Sequence, residues 1–392
     1  MWVVFFLAIL LYNFKLPLLG IPLYSVIYMP LAAWLLLLKY RRLGGRCLRS
    51  TSVVSTSTFC WLAISVWGSL LAVINGTIAN SLPYIRYTIC FACVVLVLSS
   101  CFLKKKQEML GLGFVFFFSA LVALSGIYEG VTGNYYHLTH LSYRYSRNMF
   151  GLYKPNTIFY NINDSAVFMN MMLILSYLFA DKCTKRGGFV RMIALILFGG
   201  NILLTESRGA LFGLIIFLYI FYIDKWSIKN RIMLFILLLP VVISGLAWLT
   251  SIIDTSDFNM ESMGGRGAVW RKSIHTLGNS FLLGTGPGMT TELNAYADSF
   301  GASVAAIHSF FLEILCDYGL PGGGILIGWY CSLVAKLRKK VRLHKNFLIA
   351  FAGLIAFIPL SVTSSSLIGK TWVLCFFGVL ICEIDCAERE QM

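Results

Sequence analysis

Long apolar runs make up most of this chain, and short polar segments separate them. Many of the runs are long enough for membrane-spanning helices, and none shows the apolar–polar alternation of a membrane β-barrel. The pattern therefore predicts an all-α, polytopic integral membrane protein with about twelve transmembrane helices. These spans are predicted approximately at residues 2–14, 21–38, 53–75, 83–103, 109–127, 158–180, 189–205, 209–223, 232–252, 320–335, 346–363 and 368–384.

Two segments between the predicted spans are longer than the rest, and both lie on the same side of the membrane. The smaller covers residues 128–157 and the larger covers residues 253–319. Because long loops of compact proteins are commonly functional, we expect a site wall or a lid in the larger one. Residues 1–392 are otherwise interpreted as a single membrane domain.

Two short helices are predicted in the larger loop. Apolar residues recur at helical spacing from Arg266 to Leu277, which indicates a helix on the membrane surface with Trp270 near the interface. His308 opens the second helix, which the sequence Gly319-Leu-Pro-Gly-Gly-Gly324 breaks before the next span. Broken helices at a membrane edge commonly line a cavity, although a simple re-entrant anchor would give the same pattern.

Charge is scarce and unevenly distributed. The chain is 58% hydrophobic and 12% charged, with a mean hydropathy of +0.78 and a formal net charge of +15. Most basic residues fall in alternate loops, which the positive-inside rule assigns to the cytoplasm together with both termini. Topology thus explains the basicity, and no nucleic-acid partner is predicted. The basic loops contain Lys39, Arg41, Arg42, Arg46, Arg49, Lys104, Lys105, Lys106, Lys182, Lys185, Arg186, Arg191, Lys225, Lys229, Arg231, Lys336, Arg338, Lys339, Lys340, Arg342 and Lys345.

The cysteine pattern favours neither disulfides nor metal binding. Most of the 11 cysteines fall in predicted spans or cytoplasmic loops, and only Cys316 lies near the outer side. The chain also has no DxD pair and no group of carboxylates or histidines at metal-ligand spacing. If phosphate is a leaving group, arginines must therefore neutralise its charge.

Two arginines on the outer side are candidates for phosphate binding. Arg208 stands at an almost loop-free turn between two spans, where it either pairs with Glu206 alone or binds a phosphate in bidentate fashion. Arg266 is flanked by glycines that let the backbone approach a ligand closely. Arg271 and Lys272, one turn further on, are equally well explained as solvated surface residues.

Further polar residues stand where lipid alone would exclude them. His308 is a candidate general base, although a histidine at a helix start is more often a capping or packing residue. Asn161, Asn163 and Asp164 lie at the outer mouth of the sixth predicted span. These side chains either bind sugar hydroxyls or the arginines, or they form hydrogen bonds between helices.

These motifs together resemble the O-antigen ligase and Wzy polymerase superfamily of bacterial surface-polysaccharide assembly. The similarity lies in Ser207-Arg208-Gly209-Ala210, in Arg266 to Trp270 followed by Asn279-Ser-Phe-Leu-Leu-Gly-Thr-Gly-Pro-Gly288, and in the segment from His308 to Gly322. It covers roughly residues 155–335. Ser280 and Ser309 depart from it, since the family commonly has proline and asparagine at these positions.

The resemblance implies a metal-independent, inverting glycosyltransferase without a cofactor, in the bacterial inner membrane with its site facing the periplasm. Arg208 and Arg266 would hold the pyrophosphate of an undecaprenyl-pyrophosphate-linked glycan, and His308 would deprotonate or orient the acceptor hydroxyl. Membrane lipids and a chain-length regulator are further expected partners. Predicted substrate contacts are Asn161, Asn163, Asp164, Ser207, Trp270, Arg271 and Ser309.

Three functions remain open at this point. Asn161-Ile-Asn-Asp-Ser-Ala166 resembles a segment frequent in exopolysaccharide and capsule polymerases, which favours a polymerase that joins lipid-linked repeat units. A ligase would transfer the glycan to lipid A–core instead. A transporter of lipid-linked oligosaccharides would place arginines at several depths of a central cavity, whereas the candidates here gather at the outer side.

Overall fold

In the computed structural model, the chain is described at residues 52–101, 105–134, 147–159, 161–183, 186–222, 266–295, 307–364 and 367–389, with isolated positions at 29, 30 and 34. These parts are helical, and the one β-type pairing within them is an isolated bridge between Arg147 and Tyr153. The predicted all-α class is confirmed for this part of the chain.

The helices follow one another through short turns. They are α1 (Ser52–Ile74), α2 (Ile78–Cys101), α3 (Lys105–Thr132), α4 (Ile162–Lys182), α5 (Gly187–Ala194), which continues through a π-turn (Leu195–Gly199) into α6 (Gly200–Thr205), α7 (Arg208–Tyr222), α8 (Arg266–Asn279), α9 (Met289–Ala295), α10 (Phe310–Lys340), α11 (Lys345–Ser361), a 3-10 turn (Leu367–Gly369) and α12 (Thr371–Arg389).

Among the described residues, six helical stretches are long and apolar enough to cross a membrane. They are Val53–Ile74, Ile78–Ser99, Glu108–Thr132, Ile162–Lys182, Gly187–Thr205 and Phe310–Lys340. Helices α7 and α11 are apolar but shorter. The spans predicted at 2–14, 21–38 and 232–252 lie outside the described residues, apart from the three isolated positions, so twelve spans stays a prediction.

Helix α4 lies at the centre of the described bundle. It contacts α3, α5, α6, α7, α11 and α12, and nearly all of its side chains are buried. Its polar residues are placed mainly at its two ends, and Asn170 in its middle donates to the carbonyl of Ala210 at 2.8 Å. A central helix of this kind fixes the angular positions of its neighbours, including α7, which begins at Arg208.

Most helix boundaries differ by one to five residues from those predicted, and two regions show why. Helix α3 runs to Thr132 instead of residue 127, because buried Glu129 accepts the backbone N–H groups of Asn156 (3.1 Å) and Thr157 (2.8 Å). The predicted break of α10 is confirmed at Gly319 (φ 66°, ψ −170°), but the helix resumes directly after it. Pro321 is tolerated there because the N–H groups of a first helical turn need no helical acceptor.

A cluster of ionic side chains ties three helix ends together at the end of the bundle that contains Lys182, Lys340 and Lys345, here called the basic end. Lys182 of α4 forms ion pairs with Glu108 of α3 and with Glu383 of α12, the latter at 3.1 Å. All three side chains are at most one tenth exposed. The ion pairs therefore join α3, α4 and α12 in a region of low polarity.

Replacing Lys182 with methionine should destabilise the bundle by roughly 3–5 kcal/mol, because two buried carboxylates would lose their counter-charge. Thermal unfolding in detergent or nanodiscs measures the effect. The triple variant Lys182→Met, Glu108→Gln, Glu383→Gln provides the control and should recover much of the loss. An unchanged unfolding temperature in the single variant would contradict the importance of the cluster.

Candidate functional site

The end of the bundle opposite the basic end brings together residues from widely separated parts of the sequence. Helices α4, α7, α10 and α12 begin there and α11 ends there. The hydroxyl of Ser207, just before α7, donates to Asn163 of α4 at 3.0 Å. The Phe310 ring of α10 packs on Phe357 of α11, with centroids 5.5 Å apart. We call this the site end.

The arginine turn (residues 205–209) joins α6 to α7 at the site end. Helix α6 ends at Thr205, Glu206 adopts left-handed backbone angles (φ 52°, ψ 26°) and α7 begins at Arg208. Thr363 Oγ1 lies so close to Gly209 that no Cβ would fit there. The predicted, almost loop-free turn is confirmed, and the close contact with the chain after α11 fixes its position.

Arg208 does not pair with Glu206. Its side chain is exposed and forms no hydrogen bond or ion pair with the residues that the structure describes. Glu206 instead accepts the backbone N–H of Met149 at 2.6 Å and forms an ion pair with Lys154 at 2.8 Å. The hydrogen bond from Lys154 and that from Met149 lower the pKa of the Glu206 carboxyl. The guanidinium of Arg208 thus remains available to a ligand.

Asn161, Asn163 and Asp164 are all engaged with other parts of the protein. Asn161 caps α4 by accepting the N–H of Asn163 at 2.9 Å, and Asn163 accepts the Ser207 hydroxyl. Buried Asp164 accepts the hydroxyl of Ser364 and forms an ion pair with Lys370 at 2.7 Å. These contacts match the alternative of hydrogen bonding between helices for this segment.

His308 lies directly before α10 in a constrained backbone conformation. Its φ of 52° is in the left-handed region, and the next residue, Ser309, is the extended N-cap residue of α10. Ser309 is buried, and its carbonyl accepts the N–H of Glu313 at 2.8 Å. The indole N–H of Trp270 donates to the carbonyl of Ile307 at 2.6 Å. The backbone of His308 is therefore fixed by hydrogen bonds to the carbonyl groups of both its neighbours, Ile307 and Ser309.

Helix α8 confirms the predicted helix from Arg266 to Leu277. Val269 and Leu277 pack with Ile307 and Cys316, so α8 docks onto the start of α10. Trp270 is partly buried in this contact, and Arg271 is exposed. The backbone of Arg266 begins α8, one turn before Trp270, whereas its side chain lies outside the described part of the chain.

The glycine segment (residues 280–288) is bound to the break in α10. The Asp317 carboxylate accepts the N–H of Gly288 at 2.7 Å and that of Thr290 at 3.0 Å. The N–H of Leu320, just after the break, donates to the carbonyl of Leu282 at 2.8 Å. These bonds join the larger loop to α10. Sequence reasoning missed Asp317, although a carboxylate beside a helix-breaking glycine was a detectable signal.

The contacts place Arg208 and His308 at the same end of the bundle, each within two residues of a residue that contacts the end of α11 or the chain just beyond it. Gly209 abuts Thr363 just beyond α11, while Phe310 packs on Phe357 one turn before the helix ends. Trp270 brings the start of α8, and with it the backbone of Arg266, next to Ile307. Lys370, which sequence reasoning did not single out, forms an ion pair with Asp164. The residue before Asp164, Asn163, contacts Ser207 of the arginine turn.

Comparison with known proteins finds one family model and one relative that this chain resembles. Residues 193–327 match a family model described as O-Antigen ligase, and this range contains Arg208, Arg266 and His308. The teichuronic acid biosynthesis protein TuaE of Bacillus subtilis (strain 168) is 25% identical over 296 residues. Both matches support the resemblance of the chain to the O-antigen ligase and Wzy polymerase superfamily. The alignment covers 67% of this chain but only 59% of the relative, so the chain spans less than two thirds of that relative's length.

The similarity to this superfamily agrees with the structure. Several apolar helices able to cross a membrane identify a membrane protein, and the two matches support a role in surface-polysaccharide assembly. The match begins inside α5 and ends within α10, so it includes the arginine turn, α8, the glycine segment and His308.

Proposed function

We propose that this protein is a glycosyltransferase that polymerises oligosaccharide repeat units linked to undecaprenyl pyrophosphate. Arg208 is the observation that carries the proposal. Its guanidinium is exposed at the site end and has no protein partner among the described residues. An exposed arginine at a membrane boundary is accessible to an anionic lipid headgroup, and its planar fork suits bidentate phosphate contacts.

In this proposal, three residues have separate roles in the reaction. Arg208 and Arg266 hold the pyrophosphate and stabilise the charge that develops as it leaves the sugar. His308 accepts the proton of the attacking hydroxyl, which displaces the pyrophosphate from the opposite face and inverts the anomeric centre. Arginines at fixed positions supply the charge compensation without a divalent ion, and Arg271 and Ser309 are further proposed substrate contacts.

One observation favours the polymerase proposal. The segment Asn161-Ile-Asn-Asp-Ser-Ala166 resembles that of exopolysaccharide and capsule polymerases. The description of the matching family as O-Antigen ligase favours the second candidate, a ligase that transfers the glycan to lipid A–core. In both cases we propose that the site end faces the periplasm, because the basic end carries the lysines expected in the cytoplasm.

Reconstitution of the purified protein with lipid-linked repeat units alone tests the proposal. A ladder of products should appear on a gel, whereas a reaction that starts only when lipid A–core is added would identify a ligase. No glycan transfer under either condition would contradict the enzymatic proposal.

Arg208→Ala should abolish the ladder, because the pyrophosphate would lose its main cationic contact. Arg147→Ala is the matched control, since Arg147 is also a non-cytoplasmic arginine but donates to the Tyr153 hydroxyl at 3.0 Å and lies over the Tyr153 ring. It should retain the ladder. Equal activity of the two variants would exclude Arg208 as a pyrophosphate contact.

A further inference from the structure

Lys370 lies at the site end between the 3-10 turn and α12. Its ammonium group contacts Asp164 Oδ2 at 2.7 Å, and its side chain is 17% exposed, whereas that of Asp164 is 4% exposed. The other carboxylate oxygen of Asp164 accepts the hydroxyl of Ser364. Asp164 therefore joins the start of α4 to the chain between α11 and α12.

Two of the contacts that hold the arginine turn come from neighbours of this ion pair. Asn163, which accepts the Ser207 hydroxyl at 3.0 Å, directly precedes Asp164. Thr363, whose hydroxyl abuts Gly209, directly precedes Ser364. Ser207 and Gly209 flank Arg208. The backbone on each side of Arg208 is thus supported by a residue adjacent to the Asp164 network.

The ion pair also determines the charge near the proposed pyrophosphate site. Without Lys370, Asp164 would be a buried carboxylate without a counter-charge, three residues after the Asn161 cap and next to Asn163, which contacts the arginine turn. Such a charge repels an approaching anion, and it favours rearrangement of the helix start towards water. Lys370 removes both effects.

We propose that Lys370 is a positioning residue for Arg208: by neutralising Asp164, it holds the arginine turn and prevents repulsion of the lipid pyrophosphate. This inference rests on the proposed function of Arg208 as a pyrophosphate contact. It gives Asp164 the role of an internal counter-charge and not that of a sugar ligand. Lys370 itself does not contact the substrate in this arrangement.

Steady-state kinetics of four variants in nanodiscs test the inference. Lys370→Met should lose about 100-fold in kcat/KM for the lipid-linked donor, mostly through a higher KM, because small displacements of binding groups have effects of this size. Lys370→Arg should retain the wild-type KM. Asp164→Asn should have little effect on KM, and Lys370→Met combined with Asp164→Asn should recover most of the lost affinity.

The double variant distinguishes positioning from direct contact. If it remains as impaired as Lys370→Met, the lysine itself binds substrate and the inference is wrong. If Asp164→Asn alone is as impaired as Lys370→Met, Asp164 contacts the substrate and the inference is also wrong. The unfolding temperature of each variant is measured alongside its KM. A purely structural role of Lys370 would lower the unfolding temperature without changing the KM of the folded protein.

Hydrogen exchange separates this inference from the proposed function, because it requires no activity. Backbone amides of residues 205–209 should exchange faster in Lys370→Met than in the wild type, and the double variant should restore their protection. If residues 205–209 exchange faster in Lys370→Met but the wild-type protein transfers no glycan, only the proposed function is overturned. Wild-type transfer with unchanged exchange in Lys370→Met would overturn only the positioning role.

Discussion

Replacing His308 with asparagine should reduce glycan transfer by about 10²–10⁴-fold, the usual contribution of a general base, while the protein remains folded in the membrane. Asparagine is the informative choice because His308 has a φ of 52°, and asparagine tolerates left-handed angles better than most residues. Alanine would combine loss of the imidazole with backbone strain. Initial rates of product formation, with donor and acceptor saturating, measure the effect.

His275→Asn is the matched control for this experiment. His275 lies on α8 with an exposed side chain, and its ring nitrogen is 3.2 Å from the side-chain amide of Asn279. Its replacement should leave the rate unchanged. Normal transfer by the His308→Asn variant would exclude His308 as the base, and equal losses in both variants would indicate a general effect of removing histidines from this region.

The helical part of the fold was largely predictable from sequence, because an apolar run long enough to cross the membrane core indicates a transmembrane helix. The break at Gly319 and the helix from Arg266 were also predictable, because each depends only on residues that are close together in the sequence. Helix ends were less accurate. The end of α3 depends on hydrogen bonds between Glu129 and residues 27 and 28 positions further along the chain, which no local pattern records.

The site was predictable only in part. Arg208 and His308 could be singled out because charged or ionisable groups are rare in an apolar chain, and the structure places both at the site end. Lys370 was missed because its significance depends on Asp164, which is 206 residues away in sequence. For the same reason, sequence alone leaves both substrate contact and hydrogen bonding between helices open for Asn163 and Asp164, whose oxygens accept hydrogen bonds from Ser207, Ser364 and Lys370 in the structure.

Gly319→Ala should have the largest effect on the architecture of the site. Gly319 combines φ 66° with ψ −170°, a region that only glycine occupies readily and that costs other residues about 1–3 kcal/mol. A Cβ there would also clash with the Leu283 carbonyl and lie 2.5 Å from the Leu282 carbonyl oxygen. Both obstacles are backbone atoms that cannot rotate away, so the glycine segment must separate from α10.

The expected result is a lower unfolding temperature and a loss of glycan transfer of at least about 100-fold, because the glycine segment anchors α8, which contacts Ile307 beside His308, to the break in α10. Gly324→Ala is the matched control: it lies in the same helix, and a Cβ there would meet no atom within 4 Å. It should keep activity and gain up to about 1 kcal/mol of stability. If Gly319→Ala behaved like this control, the contact between the glycine segment and the broken helix would not maintain the site.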